Sequence, residues 1–429
     1  MKNIYFFKIQ HSILRIFCFL LLMVLNVPAK ASDFLFGAVT HVMNGGHGGL
    51  ETEETLKDIG FNSFREDAFW HKLEVKPGVL KISVPQVDFF SLVDKSPKLG
   101  ITPMIILDYG NKFYSGGDFP LDEKALGAFL DYVRFVVMRV KGKTHLYQVW
   151  NEWNIGLGLP EKVRRPGSSD EYLKLLRAVV PVIRAIDPQA IIVGTSVARM
   201  DEKWIADFIQ GGGINLIDGF SLHPYVWSSR KFRPEESLIW VDKMQNKFRE
   251  KNAGRDFPFY ITEIGWPNHK NRAGISEELT SAYAARFVLL AKQRLWIKGV
   301  WWYDLKNDGE SSKDWEHNFG ILRYDGSRKP IVNVFKNLSE IIIKGKFIKT
   351  ELLFDDVILN KYQMPDGSEV SAIWSRSDEP VSVEIQTNDA VNKLLPDGGI
   401  ILKNTRTKEV LTSMPWVFRS PPGSIFFVK

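Results

Sequence analysis

Residues 146–194 read LYQVWNEWNIGLGLPEKVRRPGSSDEYLKLLRAVVPVIRAIDPQAIIVG. The stretch opens on one short apolar run, Leu146–Trp150, and closes on another, Ile191–Gly194. Between them Tyr172, Leu175, Leu176, Val179, Ile183 and Ile186 recur at intervals of three and four, which places one apolar stripe along a helix. Ser168 with Glu171 forms a capping box at its start, Pro188 follows its end, and Pro181 is expected to kink it mildly. Strand, helix and strand in this order describe a parallel pair, because parallel strands need a crossover of this length.

The same unit repeats on both sides. Further strand-like runs are Phe34–Val39, Phe61–Arg65, Met104–Leu107, Gly219–Leu222, Phe259–Thr262 and Val300–Tyr303, making eight strands in all. Helical patterns fall near 52–59, 85–98, 122–140, 169–186, 202–209, 235–251, 276–295 and 331–343. Eight such units across residues 32–344 predict an α/β fold, a closed (β/α)8 TIM barrel. An open doubly wound sheet is the rival, but no glycine-rich dinucleotide or phosphate loop follows any strand. After Gly345 the pattern changes to alternating apolar and polar residues, with turns at Pro365-Asp366-Gly367, Pro396-Asp397-Gly398-Gly399 and Pro421-Pro422-Gly423. Residues 345–429 therefore read as a small antiparallel, β-sandwich-like domain.

The first 31 residues have the layout of an export signal: Lys2, Lys8 and Arg15, then the apolar run Ile16–Val27, then Ala29-Lys30-Ala31 as a cleavage site. The apolar run falls short of the roughly 20 residues of a membrane span, which leaves an uncleaved anchor only as the alternative to a cleaved signal. The expectation is an exported protein, periplasmic or extracellular, with no lasting membrane insertion once the leader is removed. Setting aside the leader's four basic side chains lowers the formal charge from +6 to +2, so the basicity offers no argument for a nucleic-acid partner. The single cysteine, Cys18, lies in the leader, which leaves no disulfide framework, thiolate site or cysteine nucleophile beyond it. A monomer is the expected state. Thirteen tryptophans suit both a large core and a groove that stacks sugar rings.

In a barrel of this kind the reacting groups stand at the carboxyl ends of the strands. Two glutamates occupy such ends: Glu152, in Val149-Trp150-Asn151-Glu152-Trp153-Asn154, and Glu263, in Tyr260-Ile261-Thr262-Glu263-Ile264-Gly265-Trp266-Pro267. Strands four and seven face each other across the mouth. Cleavage of a glycosidic bond needs one carboxyl group protonated near neutrality and one ionised. Trp150 and Trp153 beside Glu152 provide apolar surroundings that raise a carboxyl pKa, and Trp153 is a candidate to line the sugar site. An Asn-Glu pair after a strand can also be a plain helix cap, but the second glutamate at the matching strand end argues against that.

Asn-Glu at the fourth strand and Thr-Glu-Ile-Gly-Trp at the seventh resemble the clan A (β/α)8 retaining glycoside hydrolases. Within that clan the chain most resembles glycoside hydrolase family 39, in particular bacterial exopolysaccharide hydrolases of the Psl type, through Phe36-Gly37, Phe64-Arg65 and the appended β-domain. The resemblance implies roles. Glu152 corresponds to the general acid/base and Glu263 to the nucleophile. Asn151 corresponds to the amide that bonds the sugar 2-hydroxyl or the nucleophile. His223 and Tyr225 correspond to a strand-six pair that orients nucleophile and sugar, Trp302 to the strand-eight aromatic platform, and Arg65 to the cation that keeps Glu263 ionised. Arg65 could instead pair locally with Glu66 and Asp67, and Trp302 competes with Trp301 for the inward position.

His41, Asp108 and Tyr109 end strands one and three and are further candidates for a sugar subsite; Asp304, Asp308 and Trp315 follow strand eight. His41 and His47 are too few for a metal-dependent hydrolase barrel, and strand one has no His-x-His, so neither metal nor cofactor is expected. The implied activity is double-displacement hydrolysis of a polysaccharide, a bacterial exopolysaccharide by resemblance. A non-catalytic glycan-binding protein assisting export and a transglycosylase using the same residues remain as alternatives.

Overall fold

In the computed structural model, eight parallel strands close into a barrel: β1 Leu35–Val39, β2 Ser63–Asp67, β3 Thr102–Leu107, β4 Leu146–Val149, β5 Ile191–Val197, β6 Gly219–Leu222, β7 Phe259–Ile264 and β8 Ile297–Trp302. Each strand pairs with its sequence neighbours, and β8 closes the ring on β1 with Ala38 opposite Trp302. The structure describes residues 34–45, 49–84, 86–226, 233–271, 274–354 and 356–428. The proposed leader and His47 lie outside them.

Among the described residues, eight helices of more than one turn surround the barrel: α1 Gly49–Ile59, α2 Gln86–Leu99, α3 Glu123–Val140, α4 Ser169–Ile186, α5 Glu202–Gln210, α6 Pro234–Lys251, α7 Glu277–Lys292 and α8 Ile331–Lys344. The capping box expected from sequence is formed at α4, where the Ser168 side chain accepts from the Glu171 amide and Glu171 bonds back to the Ser168 amide. The helix runs on through Pro181 to Ile186. No helix among the described residues is long and apolar enough to cross a membrane.

Strand alternation sorts the barrel into two faces. Outward residues such as Phe36, Phe64, Tyr147, Phe220 and Ile261 join the large core beneath the helices. Inward residues Val39, Met104, Leu146, Val193, Tyr260 and Trp301 fill the lumen as a separate apolar plug. Gly37 makes room for it: a Cβ there would stand 2.0 Å from the Ser63 carbonyl oxygen and 3.2 Å from the Trp301 ring. Above the plug the inward positions turn polar. Arg65, Gln148, Ser196, Ser221 and Thr262 are all buried, and they form the floor of the mouth.

The C-terminal strands form two antiparallel sheets. Six strands, β9 Lys346–Phe354, β10 Val357–Gln363, β11 Glu369–Ser375, β13 Val391–Leu395, β14 Ile400–Leu402 and β16 Trp416–Ser420, run in the order β9-β10-β11-β16-β13-β14. Three more, β12 Val381–Thr387, β15 Arg406–Leu411 and β17 Ile425–Val428, run β15-β12-β17. This region packs against the barrel helices as part of one unit with them. Tyr362 donates to the Leu289 carbonyl on α7 at 2.7 Å, and the buried Arg286 of α7 bonds Glu235 of α6 at 2.6 Å and also Asp378. Asp378 further accepts from Tyr283 at 3.0 Å and pairs with Arg233 at 3.0 Å.

Candidate active site

Glu152 follows β4 in a sharp reversal in which Trp150 and Glu152 adopt positive φ of 64° and 48°. Both are non-glycine residues in the left-handed region, a strained arrangement that the surroundings must hold. The Glu152 amide donates to Ser196 Oγ at 3.1 Å, which anchors the turn to β5. Glu263 stands near the end of β7, whose neighbours are β6 and β8.

The two carboxyl groups converge. One oxygen of each and a nitrogen of His223 all lie within 4.8 Å of one another. Their surroundings differ. Glu263 accepts from Arg65 Nη1 at 2.8 Å and from the Tyr225 hydroxyl at 2.9 Å. Glu152 bonds His223 Nδ1 at 2.8 Å, and the same nitrogen is 3.3 Å from Glu263. Side-chain exposures of 14% for Glu152 and 11% for Glu263 leave both reachable from the mouth yet largely desolvated. Burial pushes Glu152 up to about 7, against the pull of Arg65 and Arg199. Burial also raises Glu263, opposed by His223 and Arg65. Burial lowers His223 to about 3, so its ring is neutral.

Arg65 is the hub. Alternation on β2 turns Arg65 and Asp67 into the lumen, and Arg65 also donates to Asn151 Oδ1 at 2.8 Å and Gln148 Oε1 at 3.1 Å. The alternative of a merely local pairing with Glu66 is not what the strand builds. Glu66 points outward and accepts from the amides of Val42 and Met43 at 3.0 and 3.1 Å, and burial raises it to about 8. Asn151 is held further by Ser196 Oγ donating at 2.6 Å, and its own amide donates to the Tyr109 hydroxyl at 3.0 Å. Tyr109 is half-buried and stacks on Phe69. Seven of the expected residues, Arg65, Tyr109, Asn151, Glu152, His223, Tyr225 and Glu263, thus meet in one network.

Three expectations are corrected. Trp302 is not an aromatic platform: it is wholly buried and lies on the outer face of β8 against Phe335 of α8 and Trp266. Alternation gives the inward places to Trp301 in the plug and Tyr303 at the mouth, where Tyr303 is half-buried and donates to Glu316 at 2.6 Å. Trp153 is also wholly buried outside the barrel, stacked on Phe119 at 3.7 Å, because the strained turn directs Glu152 inward and its neighbour outward. Asp108 lines no subsite: it has no exposed surface, and burial followed by the charge of Asp67 raises it well above the carboxylate range.

His41 is placed at the mouth with Asp304 and Asp308. Its Nδ1 is 2.7 Å from Asp308 and 3.6 Å from Asp304. Burial would lower this histidine, but the two aspartates and Glu66 outweigh it and raise it to about 10. These three side chains and the Glu152–His223–Glu263 group are the two sets among the described residues whose donor atoms could surround a cation. The raised His41 offsets the charge of Asp308, while burial pushes Asp304 well above the carboxylate range. Lys329, missed in the sequence, ties the loops beyond β7 and β8 by donating to Asn268, Asn307 and the Asn318 carbonyl at 2.9–3.1 Å. Ser196, Gln148, Thr262 and Ser221 were also missed; polar residues at inward strand positions are the signal that marks them.

No family model and no curated protein matches the sequence. Solved structures do. A family 39 glycoside hydrolase from the gut symbiont Bacteroides cellulosilyticus WH2 superimposes with a TM-score of 0.72 at 21% identity, over 90% of this chain and 81% of that one. A monomeric beta-xylosidase from Caulobacter crescentus CB15 gives 0.64 at 16% identity, over 92% and 97%. A family 39 enzyme from Xanthomonas axonopodis pv. citri gives 0.60 at 14% identity, over 91% and 94%. Barrel and appended sheets together therefore have the fold of the family 39 glycoside hydrolases.

Proposed function

We propose that this chain is a retaining glycoside hydrolase that cleaves a polysaccharide, a bacterial exopolysaccharide in our reading, after export to the periplasm or the cell exterior. The observation that carries the reading is the approach of Glu152 and Glu263 to within 4.8 Å in unlike surroundings. Retaining pairs stand about 5–5.5 Å apart, whereas inverting pairs leave room for a water at about 6.5–9.5 Å. Glu263, aligned by Arg65 and Tyr225, attacks the anomeric carbon. Glu152, pushed up to about 7, protonates the departing oxygen, then takes a proton from water as the glycosyl-enzyme is released. Asn151, held through its oxygen by Arg65 and Ser196, offers its amide to the sugar. The half-buried Tyr303 and Tyr225 supply the aromatic faces at the mouth. The neighbours' names, family 39 hydrolases and a xylosidase, support a glycan substrate, and the resemblance of the motifs supports a bacterial polymer.

The test is incubation with a panel of bacterial exopolysaccharides and xylans, reading new reducing ends and the first-formed anomer by NMR. Retention is expected. Glu263→Gln abolishes turnover, and azide restores Glu152→Ala on substrates with good leaving groups. An inverted first product, or near-normal activity of Glu263→Gln, overturns the assignment.

A further inference from the structure

Behind Glu152 lies a chain of buried groups that the double displacement does not itself employ. His223 has no exposed surface, and Thr262 and Ser221 have none either. His223 Nε2 is 2.9 Å from Thr262 Oγ1, which in turn contacts Ser221 Oγ. The register explains the contact: Ser221 of β6 is opposite Tyr260 of β7, two residues before Thr262 on the same inward face.

Valence sets the direction of each bond. Glu152 Oε1 at 2.8 Å and Glu263 Oε2 at 3.3 Å both converge on Nδ1; Glu263, the ionised nucleophile of this reading, only accepts, so Nδ1 carries the hydrogen that the two oxygens share. A neutral imidazole has one N–H, which leaves Nε2 as an acceptor and makes the Thr262 hydroxyl its donor. Thr262, having given its hydrogen to the ring, accepts from Ser221. The chain runs one way, from Ser221 through Thr262 and His223 to Glu152.

We propose that Ser221 and Thr262 lock His223 in its Nδ1–H tautomer, so that Glu152 cannot pass its proton to the imidazole and keeps it for the departing oxygen. The inference rests on the reading of Glu152 as general acid. Burial keeps the ring neutral, and the hydroxyl chain adds the choice of which nitrogen carries the hydrogen, so that no free lone pair on Nδ1 faces the acid. With Nδ1–H bonded to Oε1, the acid hydrogen resides on Oε2. The ionisable groups acting on His223 are Glu152 beyond β4, Glu263 of β7, and Arg65 and Asp67 of β2, with Tyr225 edge-on to the ring. Glu152 itself feels Arg199 beyond β5, and its charge reaches Tyr109 and Glu316. Thr262 and Ser221 are positioning residues, since they act through His223.

The experiment is the pH dependence of the His223 ring nitrogen shifts in the full chain labelled with 15N-histidine, from about pH 5 to 9, with His223→Gln for assignment. One neutral tautomer with hydrogen on Nδ1 is expected throughout. Thr262→Ala, which admits a water to Nε2, removes the donor and relieves part of the burial that keeps the ring neutral, and so lets the ring take a proton. The alkaline limb of the kcat/KM profile then moves down by about 1–3 pH units, as a cation beside a carboxyl group does. Thr262→Ser, which keeps the hydroxyl, retains the native spectrum. Hydrogen on Nε2 in the native chain, or a His223 that titrates in this range, overturns the lock. Should Thr262→Ala not fold, the native spectrum still decides. The spectrum needs no substrate, so a chain that cleaves no glycan would sink the hydrolase reading while the lock stands or falls separately.

Discussion

Glu152→Gln should make the protein more stable, and only on the alkaline side. Burial raises the Glu152 carboxyl from its ordinary 4.5 to about 7 in the folded state. Between those values the folded chain binds more protons than the unfolded one, so stability falls as pH rises through the interval. The cost is absent below the ordinary value and complete above about pH 7. A difference of two to three pH units at 1.36 kcal/mol each gives about 3 kcal/mol. Glutamine keeps the shape, accepts the hydrogen bond from His223 Nδ1 and carries no charge. Its removal of the Glu152 charge also relieves the charge repulsion felt by Glu263. Urea unfolding at about pH 8.5 should show a gain of about 3 kcal/mol over the native chain, and at about pH 4 almost none. Equal gains at both values, or a loss at the higher one, would refute the account of burial as the cause of the raised carboxyl.

Arg65→Met removes the charge-assisted bond to Glu263, worth about 1.5–3 kcal/mol, and should move the acid limb of the kcat/KM profile up by about 1–2 pH units; an unmoved limb would show that Arg65 does not tune that carboxyl. Trp302→Ala should cost about 3–5 kcal/mol in denaturant unfolding, as a large buried ring does. Tyr303→Phe should cost no more than about 1 kcal/mol, the loss of one hydrogen bond to Glu316, and its effect should appear in KM instead. Reversal of that order would return Trp302 to the mouth.

The barrel was legible because each strand–helix unit carries its own periodicity. Val300–Tyr303 and Ile297–Trp302 differ only in their ends, and the helix starting at Ser169 was read together with its cap. The two glutamates were legible because the ends of strands are where this fold places chemistry. Trp302 was misplaced because the four residues Val300–Tyr303 are apolar or aromatic throughout, so no polar partner marks which of them face inward. The lumen plug decides it: Trp301 meets Tyr260 and Ser63, and Tyr303 follows on the same side. Trp153 escaped for a different reason, a left-handed turn at Trp150 and Glu152 that no propensity announces in non-glycine residues. Thr262, Ser221 and Ser196 lie on separate strands, and their meeting depends on register, which a single sequence states only through alternation.

The buried guanidinium of Arg286 has a consequence for anyone wishing to shorten the protein. It joins α6 and α7, the two helices on either side of β7 in the chain, to Asp378 in the loop between β11 and β12 of the terminal region. Cutting the chain at Gly345 would strand that cation beside Glu235 alone and bare the helices that brace the strand carrying Glu263. The sheets are thus a buttress rather than a detachable module, and a smallest working version of this protein must keep them.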